Sequence, residues 1–404
     1  MNKTMRRGTC EIQGGRFMIY VGVDIAKEKH FAVVMNTEQE ILYEPFGFEN
    51  NTAGFHRFLQ VIMPFGTAGV VIGMESTSHY AETLISFLMD KGYCVAIINP
   101  LQTSALRKSA IRNTKNDKID SKLIVKSMLV NGYKLLAEND VKLLHLKHLE
   151  RFRIKLKKSI TQQKIRLVAV MDVIFPEFQY FFKSGLHLRT SYEIIKKYTS
   201  PDDISKVHLT ALTNLIEKAS NHAFGKETAV ALRELARKSV GTPNDILCLE
   251  AKQLIAQIEL LEKQCDELDV TAAKLLESID SQIKSIPRIG VNNASAIISE
   301  YGDLSNFSNP AQMTAYTGLD PVVKQSGKFN ASGTKMSKRG SRYLRLALMN
   351  AAFQLTKGNR TFKAYYDKKR AEGKNHYNAL GHTAHKLIRI IFFITKNNTP
   401  FCLP

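Results

Sequence analysis

Met18-Ile19-Tyr20-Val21-Gly22-Val23-Asp24 is an apolar run of strand length that stops on a carboxylate, and Val70-Val71-Ile72-Gly73-Met74-Glu75 repeats the design further along. Continuous apolar runs this short read as strands buried on both faces. Working outward from them, Phe31 to Met35, Glu40 to Phe48 and Cys94 to Ile98 read as three more strands, and helical patterns fill Thr52 to Val61, Tyr80 to Lys91 and Asp117 to Val130. Three early strands before the first helix, followed by alternation, predict an α/β domain with a mixed sheet flanked by helices, ending near Asp140.

From Val141 the strand signals stop. Leu149, Leu156 and Val170 share one heptad position and Ile160 and Leu167 another, a seam interrupted by Arg153 and Gln163. A cleaner seam follows: Leu247, Leu254, Leu261, Leu268 and Leu275 recur every seven residues, with Ala251, Ile258, Cys265, Ala272 and Ile279 four residues after each. Heptads sustained over that length make a coiled coil of roughly 50 Å, so this helix expects a helical partner, from the same chain or from another copy. The plainer alternative is one long amphipathic helix within a monomer. A third segment opens on the turn Ile286-Pro287-Arg288-Ile289-Gly290, runs into a helix over Asn293 to Glu300, resumes helix at Tyr343 and ends in a helix from about His376 to Lys396. The expected division is a leader over residues 1–17, an α/β domain over 18–140, an all-α helical and coiled-coil region over 141–280, and a mainly helical C-terminal domain over 281–404. The interval Phe182 to Gly241 yields no reading.

The chain has 404 residues, 44% of them hydrophobic, which suits a folded protein of more than one domain. No run of eighteen apolar residues occurs, and the first seventeen residues lack the apolar core of a secretory signal, so the expectation is a soluble, cytoplasmic protein without membrane contact. Five scattered cysteines, none spaced as C-x-x-C, argue against a disulfide framework or a zinc site. His145/His148 and His382/His385 have a spacing metals can use, yet no third ligand type lies nearby, and packed or solvated histidines are the plainer reading. The net charge is +20, and from Ser281 onward 19 Lys/Arg stand against 5 Asp/Glu, so this last stretch carries +14 of it. Within it, Pro321 to Arg345 holds Lys324, Lys328, Lys335, Lys338, Arg339, Arg342 and Arg345 and no acid. Interleaved with Gly, Ser and Asn, these cations point to nucleic acid and not to a membrane surface.

Asp24 and Glu75 each end a buried strand, where an acid is costly unless paired or bound to a cation. Asp117 and Asp120 lie three apart at a helix start and share a face. Alone, that pair could serve the helix dipole, with Asn116-Asp117 as a cap. Together, four carboxylates from two adjacent strands and one helix can gather hard divalent cations, one polarising an attacked phosphate and one the leaving oxygen. That arrangement cleaves phosphodiesters.

At this point the chain resembles a family. Val23-Asp24-Ile25-Ala26-Lys27, Gly73-Met74-Glu75-Ser76-Thr77 and Lys115-Asn116-Asp117-Lys118-Ile119-Asp120 look like the DEDD set of the RuvC-like transposases of bacterial insertion sequences. Arg151 to Phe178, Leu249 to Leu276, Ile286 to Asp303, Ala315 to Pro321, Gln325-Ser326-Gly327-Lys328, Ser337 to Ser341 and Ala364-Tyr365-Tyr366 resemble the rest of it in order. The resemblance implies an RNase H-like N-terminal domain holding Mg²⁺ on Asp24, Glu75, Asp117 and Asp120, a coiled-coil spacer for assembly as a dimer or tetramer, and a C-terminal domain with a nucleophilic serine. It also implies a structured guide, the bridge RNA, pairing with donor and target DNA. By residues alone Ser326 has flexible neighbours and flanking cations, but Ser332 and Ser337 share the same acid-free stretch. The match to Gln-Ser-Gly-Lys selects Ser326. With no histidine nearby in sequence, its activation must come from across the assembly, from the acid-bound metal of another subunit. Two other readings stand beside this one: a metal-dependent nuclease or junction resolvase using water as nucleophile, and a non-enzymatic nucleic-acid-binding protein. An actin-like phosphotransferase also starts on a strand ending in Asp, but its Gly-rich phosphate loops are missing.

Overall fold

The apolar run at the start forms β1 (Ile19–Asp24), and it stands at the centre of a sheet with β2 (Lys29–Asn36), β3 (Ile41–Glu49), β4 (Val70–Glu75) and β5 (Cys94–Ile98). The structure, a computed structural model, describes residues 19–75, 80–109, 116–322, 325–326, 329–330 and 335–402. Strand order is β3-β2-β1-β4-β5. The first three strands pair antiparallel, as short connections allow, and β1, β4 and β5 pair parallel through helical crossovers. The sheet is therefore mixed, and covered on both sides. Val21, Val23, Ile72 and Met74 pack under α1 (Thr52–Ile62) and α2 (Ala81–Asp90), while Tyr20, Val33 and Val71 pack against Ile124, Val125 and Met128 of α4 (Asp117–Asn131). Beyond β5, Ala96 bridges to Leu135 and extends the sheet's edge.

One helix of this unit carries no clear sequence signal. α3 (Pro100–Ser109) follows β5 directly, with only Leu101, Ala105 and Leu106 as apolar residues of helical spacing. Its one local cue is Pro100, whose fixed φ suits a first helical turn.

The chain divides into two compact units, the first ending at Val141 and the second beginning at Lys142. The second is helical. It is framed by α5 (Glu138–Ile174) and α11 (Asp245–Glu277). These run antiparallel, since Arg153 pairs with Asp269, Lys164 with Glu262 at 2.7 Å and Arg166 with Glu250 at 2.7 Å. Along α11, Ala251, Leu254, Ile258, Cys265 and Ala272 are buried, whereas Leu247, Leu261 and Leu268 are partly covered. The seam thus has a helical partner in its own chain. After the short α6 (Phe178–Phe181), the interval without a sequence signal holds α7 (Arg189–Lys197), α8 (Pro201–Lys206), α9 (Leu209–Ala219) and α10 (Lys226–Arg237), and all five share one core with α5 and α11.

The other ends of the two long helices belong to a different core. Leu143, Leu146, Ala272 and Leu276 pack with α12 (Val291–Tyr301), α13 (Pro310–Thr317), α14 (Arg342–Gly358), α15 (Arg360–Ala371) and α16 (His376–Lys396). Between α13 and α14 the short strands β6 (Gln325–Ser326) and β7 (Phe329–Asn330) pair antiparallel. Among the described residues no helix is long and apolar enough to cross a membrane.

Candidate active site and nucleic-acid interface

Strand alternation decides where the acids go. Tyr20, Gly22 and Asp24 share one face of β1, and Val71, Gly73 and Glu75 share the same face of β4, the face that α4 covers. Val23 pairs with Met74 in parallel register, so the two carboxylates end neighbouring strands at one edge. Gly22 and Gly73 are themselves paired, and α4 rests on them: a Cβ on Gly22 would stand 2.1 Å from the Ser121 carbonyl oxygen, and one on Gly73 2.3 Å from Met128 Sδ. Two side-chain-free positions let the helix backbone approach the sheet. Its first turn then carries Asp117 and Asp120 to the carboxylates of the strands, with Asn116 capping through Lys118 N at 3.1 Å.

The electrostatics report this convergence. Burial pushes the Asp24 carboxyl up to about 7, with Asp120, Asp117 and Glu75 pushing in the same direction and Arg107 opposing. Asp120 is 8% exposed and pairs with Arg107 Nη2 at 2.7 Å, whereas Asp117 is exposed. The Thr103 hydroxyl lies between the Glu75 carboxylate and the Pro100 carbonyl. Thr103 and Arg107 are four apart on α3 and so share a face. These two partners are not legible in sequence, because the helix that aligns them is not.

Among the described residues no three acids, histidines or cysteines form a closed ligand group. The donors nevertheless suit a hard divalent cation: all are carboxylate oxygens, and Asp24 is a half-buried acid raised by desolvation first and then by the three acids around it, a crowd that an added positive charge would relieve. Ser76, Thr77 and Lys115 of the sequence motifs lie outside the described residues. Of the histidine pair of the last helix, His385 is engaged elsewhere, its Nε2 3.1 Å from the Leu319 carbonyl oxygen.

The second unit carries the serine. Ser326 pairs with Phe329 and Gln325 with Asn330, while the side chains there, and Lys324, Lys328 and Ser332 altogether, lie outside the described residues. The hairpin's base is well defined. Pro321 bridges to Met336, Val322 N donates to the Lys335 carbonyl at 2.8 Å, Ser337 N to that of Asp320 at 2.8 Å, and Lys338 N to that of Gly318 at 2.9 Å. Ser337 donates its hydroxyl to Asp320 Oδ1 at 2.5 Å, a structural use. Gly318, at φ 66°, and Gly340 let the two arms touch backbone to backbone: a Cβ on Gly340 would stand 1.9 Å from the Tyr316 carbonyl oxygen.

Glu300, 2% exposed, anchors that base. It accepts from Arg151 Nε at 2.5 Å, from Arg151 Nη2 at 3.0 Å and from the Ser341 hydroxyl at 2.8 Å, and Ser341 caps α14. A two-pronged guanidinium pair of this kind fixes geometry as well as charge. Glu300 lies within the Ile286 to Asp303 stretch but is not among the site residues expected from sequence, although an acid on an apolar helix face in an acid-poor stretch is a signal that could have found it. Of the expected nucleic-acid contacts, Lys335, Lys338, Arg339 and Arg342 are exposed, and Arg345 is half-buried, its Nη1 donating to the Thr317 carbonyl at 2.9 Å.

Comparison with known proteins bears on both units. A transposase model of the IS110 DEDD type matches residues 21–176, and a model described as the transposase IS116/IS110/IS902 family matches residues 280–367. The chain is 22% identical to an insertion element IS110 protein of Streptomyces coelicolor over 85% of each chain. It is 24% identical to the pilin gene-inverting protein of Moraxella bovis over 95% of this chain and 97% of that one. An insertion element IS900 protein of Mycobacterium paratuberculosis is 20% identical over 95% and 97%. With the sheet that bears the acids matched by one model and the helices around the serine hairpin by the other, the chain belongs to the IS110 family of DEDD transposases, enzymes that cleave and rejoin DNA.

Proposed function

We propose that this transposase exchanges DNA strands with two sets of groups: Asp24, Glu75, Asp117 and Asp120, which hold Mg²⁺, and Ser326, whose hydroxyl forms a covalent link to a DNA phosphate. The observation that carries the first half is the meeting of Asp24 and Glu75, at the ends of paired strands, with Asp117 and Asp120 on the first turn of the helix that covers them; the upward push of the three other acids on half-buried Asp24 agrees with it. The family implies a divalent metal, and the all-oxygen donor set favours Mg²⁺. When bound, Mg²⁺ supplies Lewis-acid polarisation of phosphate oxygens. The chain's own residues do the rest. Thr103 and Arg107 orient Glu75 and Asp120. As the bond from Ser326 Oγ to phosphorus forms, the bond from phosphorus to the sugar oxygen breaks, and the serine proton ends on that leaving oxygen. Attack by the sugar hydroxyl of a new strand reverses these changes, rejoins DNA and frees Ser326.

The same reading makes residues 18–140 an RNase H-like (RuvC-like) domain, supported by a mixed five-stranded sheet covered on both faces. It makes residues 141–280 a coiled-coil spacer for assembly as a dimer or tetramer, and 281–404 the transposase domain. Lys324, Lys328, Lys335, Lys338, Arg339, Arg342 and Arg345 hold phosphates of donor and target DNA, and a bridge RNA guides the pairing. A relative named for inverting a pilin gene supports exchange between two DNA sites.

The test is to stop the reaction midway and map the protein–DNA adduct by mass spectrometry. The expected adduct is on Ser326, absent from Ser326→Ala. An adduct elsewhere, or an active Ser326→Ala protein, overturns the serine assignment, and metal-dependent nicking with no adduct favours water as the nucleophile. Asp24→Asn and Asp120→Asn should each lower exchange by on the order of a hundredfold or more while the protein stays folded. Full activity in Asp120→Asn removes the acids from the mechanism.

A further inference from the structure

We infer that a groove between α14 and the start of α16 receives an unpaired base of a DNA strand. Arg342, Arg345, Leu346, Met349, Asn350 and Phe353 recur at helical spacing along one face of α14, opposite the buried Leu344, Ala347, Leu348, Ala351 and Leu355. His376, Tyr377 and Leu380 close the other side, and the groove has a volume of about 550 Å³. Its apolar surface is in water: Tyr377 is 75% exposed and Leu346 44%.

The chemistry narrows the occupant. No acid lines the groove, and Arg342 and Arg345 stand at its basic end, with Arg345 held by the Thr317 carbonyl at 2.9 Å. The aromatic end is built and braced. His376 Nδ1 meets the Tyr366 hydroxyl at 2.7 Å, and its ring packs edgewise with Phe353 at 6.0 Å and Tyr377 at 5.3 Å. Lys357 Nζ lies 4.2 Å from the Phe353 centroid, adding positive charge. An aromatic wall, a side-chain amide at Asn350 and guanidinium groups at one end match the three parts of a nucleotide: the face of a base, its hydrogen-bonding edge and its phosphate. Within a duplex the faces of bases are covered by their neighbours, so the wall gains nothing from paired DNA. A base outside the stack gains a partner. Moving a cut strand from one partner to another breaks its base pairs on the way, which makes DNA the occupant that strand exchange supplies.

This inference deepens the proposed function and rests on it in one respect, that the C-terminal stretch holds DNA. The test uses the full chain and a DNA duplex carrying one unpaired 2-aminopurine, compared with the fully paired duplex and with an RNA strand of the same sequence. Stacking quenches 2-aminopurine, so wild type should quench the unpaired probe and bind it more tightly than paired DNA. Tyr377→Ala, at an exposed position, should abolish the quench and weaken binding to the unpaired probe about tenfold. It should leave binding to paired duplex unchanged, and Tyr377→Phe should restore the quench. Equal binding of paired and unpaired probes, an unchanged quench in Tyr377→Ala, or quenching confined to the RNA strand overturns the inference. Failure to bind any DNA would instead count against the proposed function.

Discussion

Glu150 shows what a single residue sets for the second unit. Its carboxyl is 2% exposed on α5, and neither oxygen has a hydrogen-bond partner among the described residues. Burial pushes it up to about 7, with Asp269 adding to the rise and Arg153, 3.8 Å away, opposing it. A carboxyl raised on folding favours the native state when protonated, so its contribution is complete below the unfolded value of about 4.5 and is lost as pH climbs through about 7. Glu150→Gln, neutral at every pH, should therefore gain stability over wild type as pH rises from 5 to 8, by at most about 3 kcal/mol. Urea unfolding of both proteins at the two pH values measures it. A difference that stays constant, or that shrinks toward pH 8, rules the account out. Residues of this kind differ in how legible they are. Asp24 and Glu75 announce themselves by ending apolar runs, since a strand end is a local feature. Glu150 and Arg107 do not, because what surrounds them is set by how helices pack and not by their own neighbours in the chain.

At the scale of elements, β1 to β5 and α4 fall within a residue or two of where periodicity puts them, because each has a length and an apolar spacing that no other local structure satisfies. α3 and the run from α6 to α10 escape that logic. They are short, and tertiary packing holds them, α3 against α4 and α6 to α10 in one core with each other and with α5 and α11. The contact between α4 and the sheet is equally nonlocal, yet it depends on two glycines whose cost can be told apart. An alanine at Gly22 would drive its Cβ to 2.1 Å from a backbone oxygen, Ser121 O, and to 2.8 Å from Val125 Cγ2. At Gly73 the nearest atom is Met128 Sδ, the end of a flexible side chain. Gly22→Ala should thus cost about 3 kcal/mol or more and lift the first turn of α4 away from Asp24, whereas Gly73→Ala should cost about 1 kcal/mol. Chemical denaturation of the two variants decides it; equal losses, or a larger one at Gly73, would mean that α4 does not rest on Gly22 as described.

Across the whole molecule, charge is the property that sequence states most directly, because it is a sum over residues and needs no fold. The +14 carried after Ser281 has to be borne by a surface, and Lys335, Lys338, Arg339 and Arg342 are exposed around the hairpin base. What sequence does not state is how that surface is held. Backbone contact at Gly318 and Gly340, together with the Arg151–Glu300–Ser341 network, gives four flexible cations a common platform. If these cations grip phosphates, each contact releases condensed counterions, and affinity must fall steeply as salt rises. Replacing both Lys338 and Arg339 by Ala should then weaken binding to unrelated DNA sequences to a similar degree and reduce the slope of log affinity against log salt by about 2. Direct base reading would do the opposite, weakening one sequence far more than another at nearly constant slope. Titrations of two unrelated duplexes between low and physiological salt separate the cases. Salt-insensitive binding, or a loss confined to one sequence, would show that the hairpin base is not the phosphate grip.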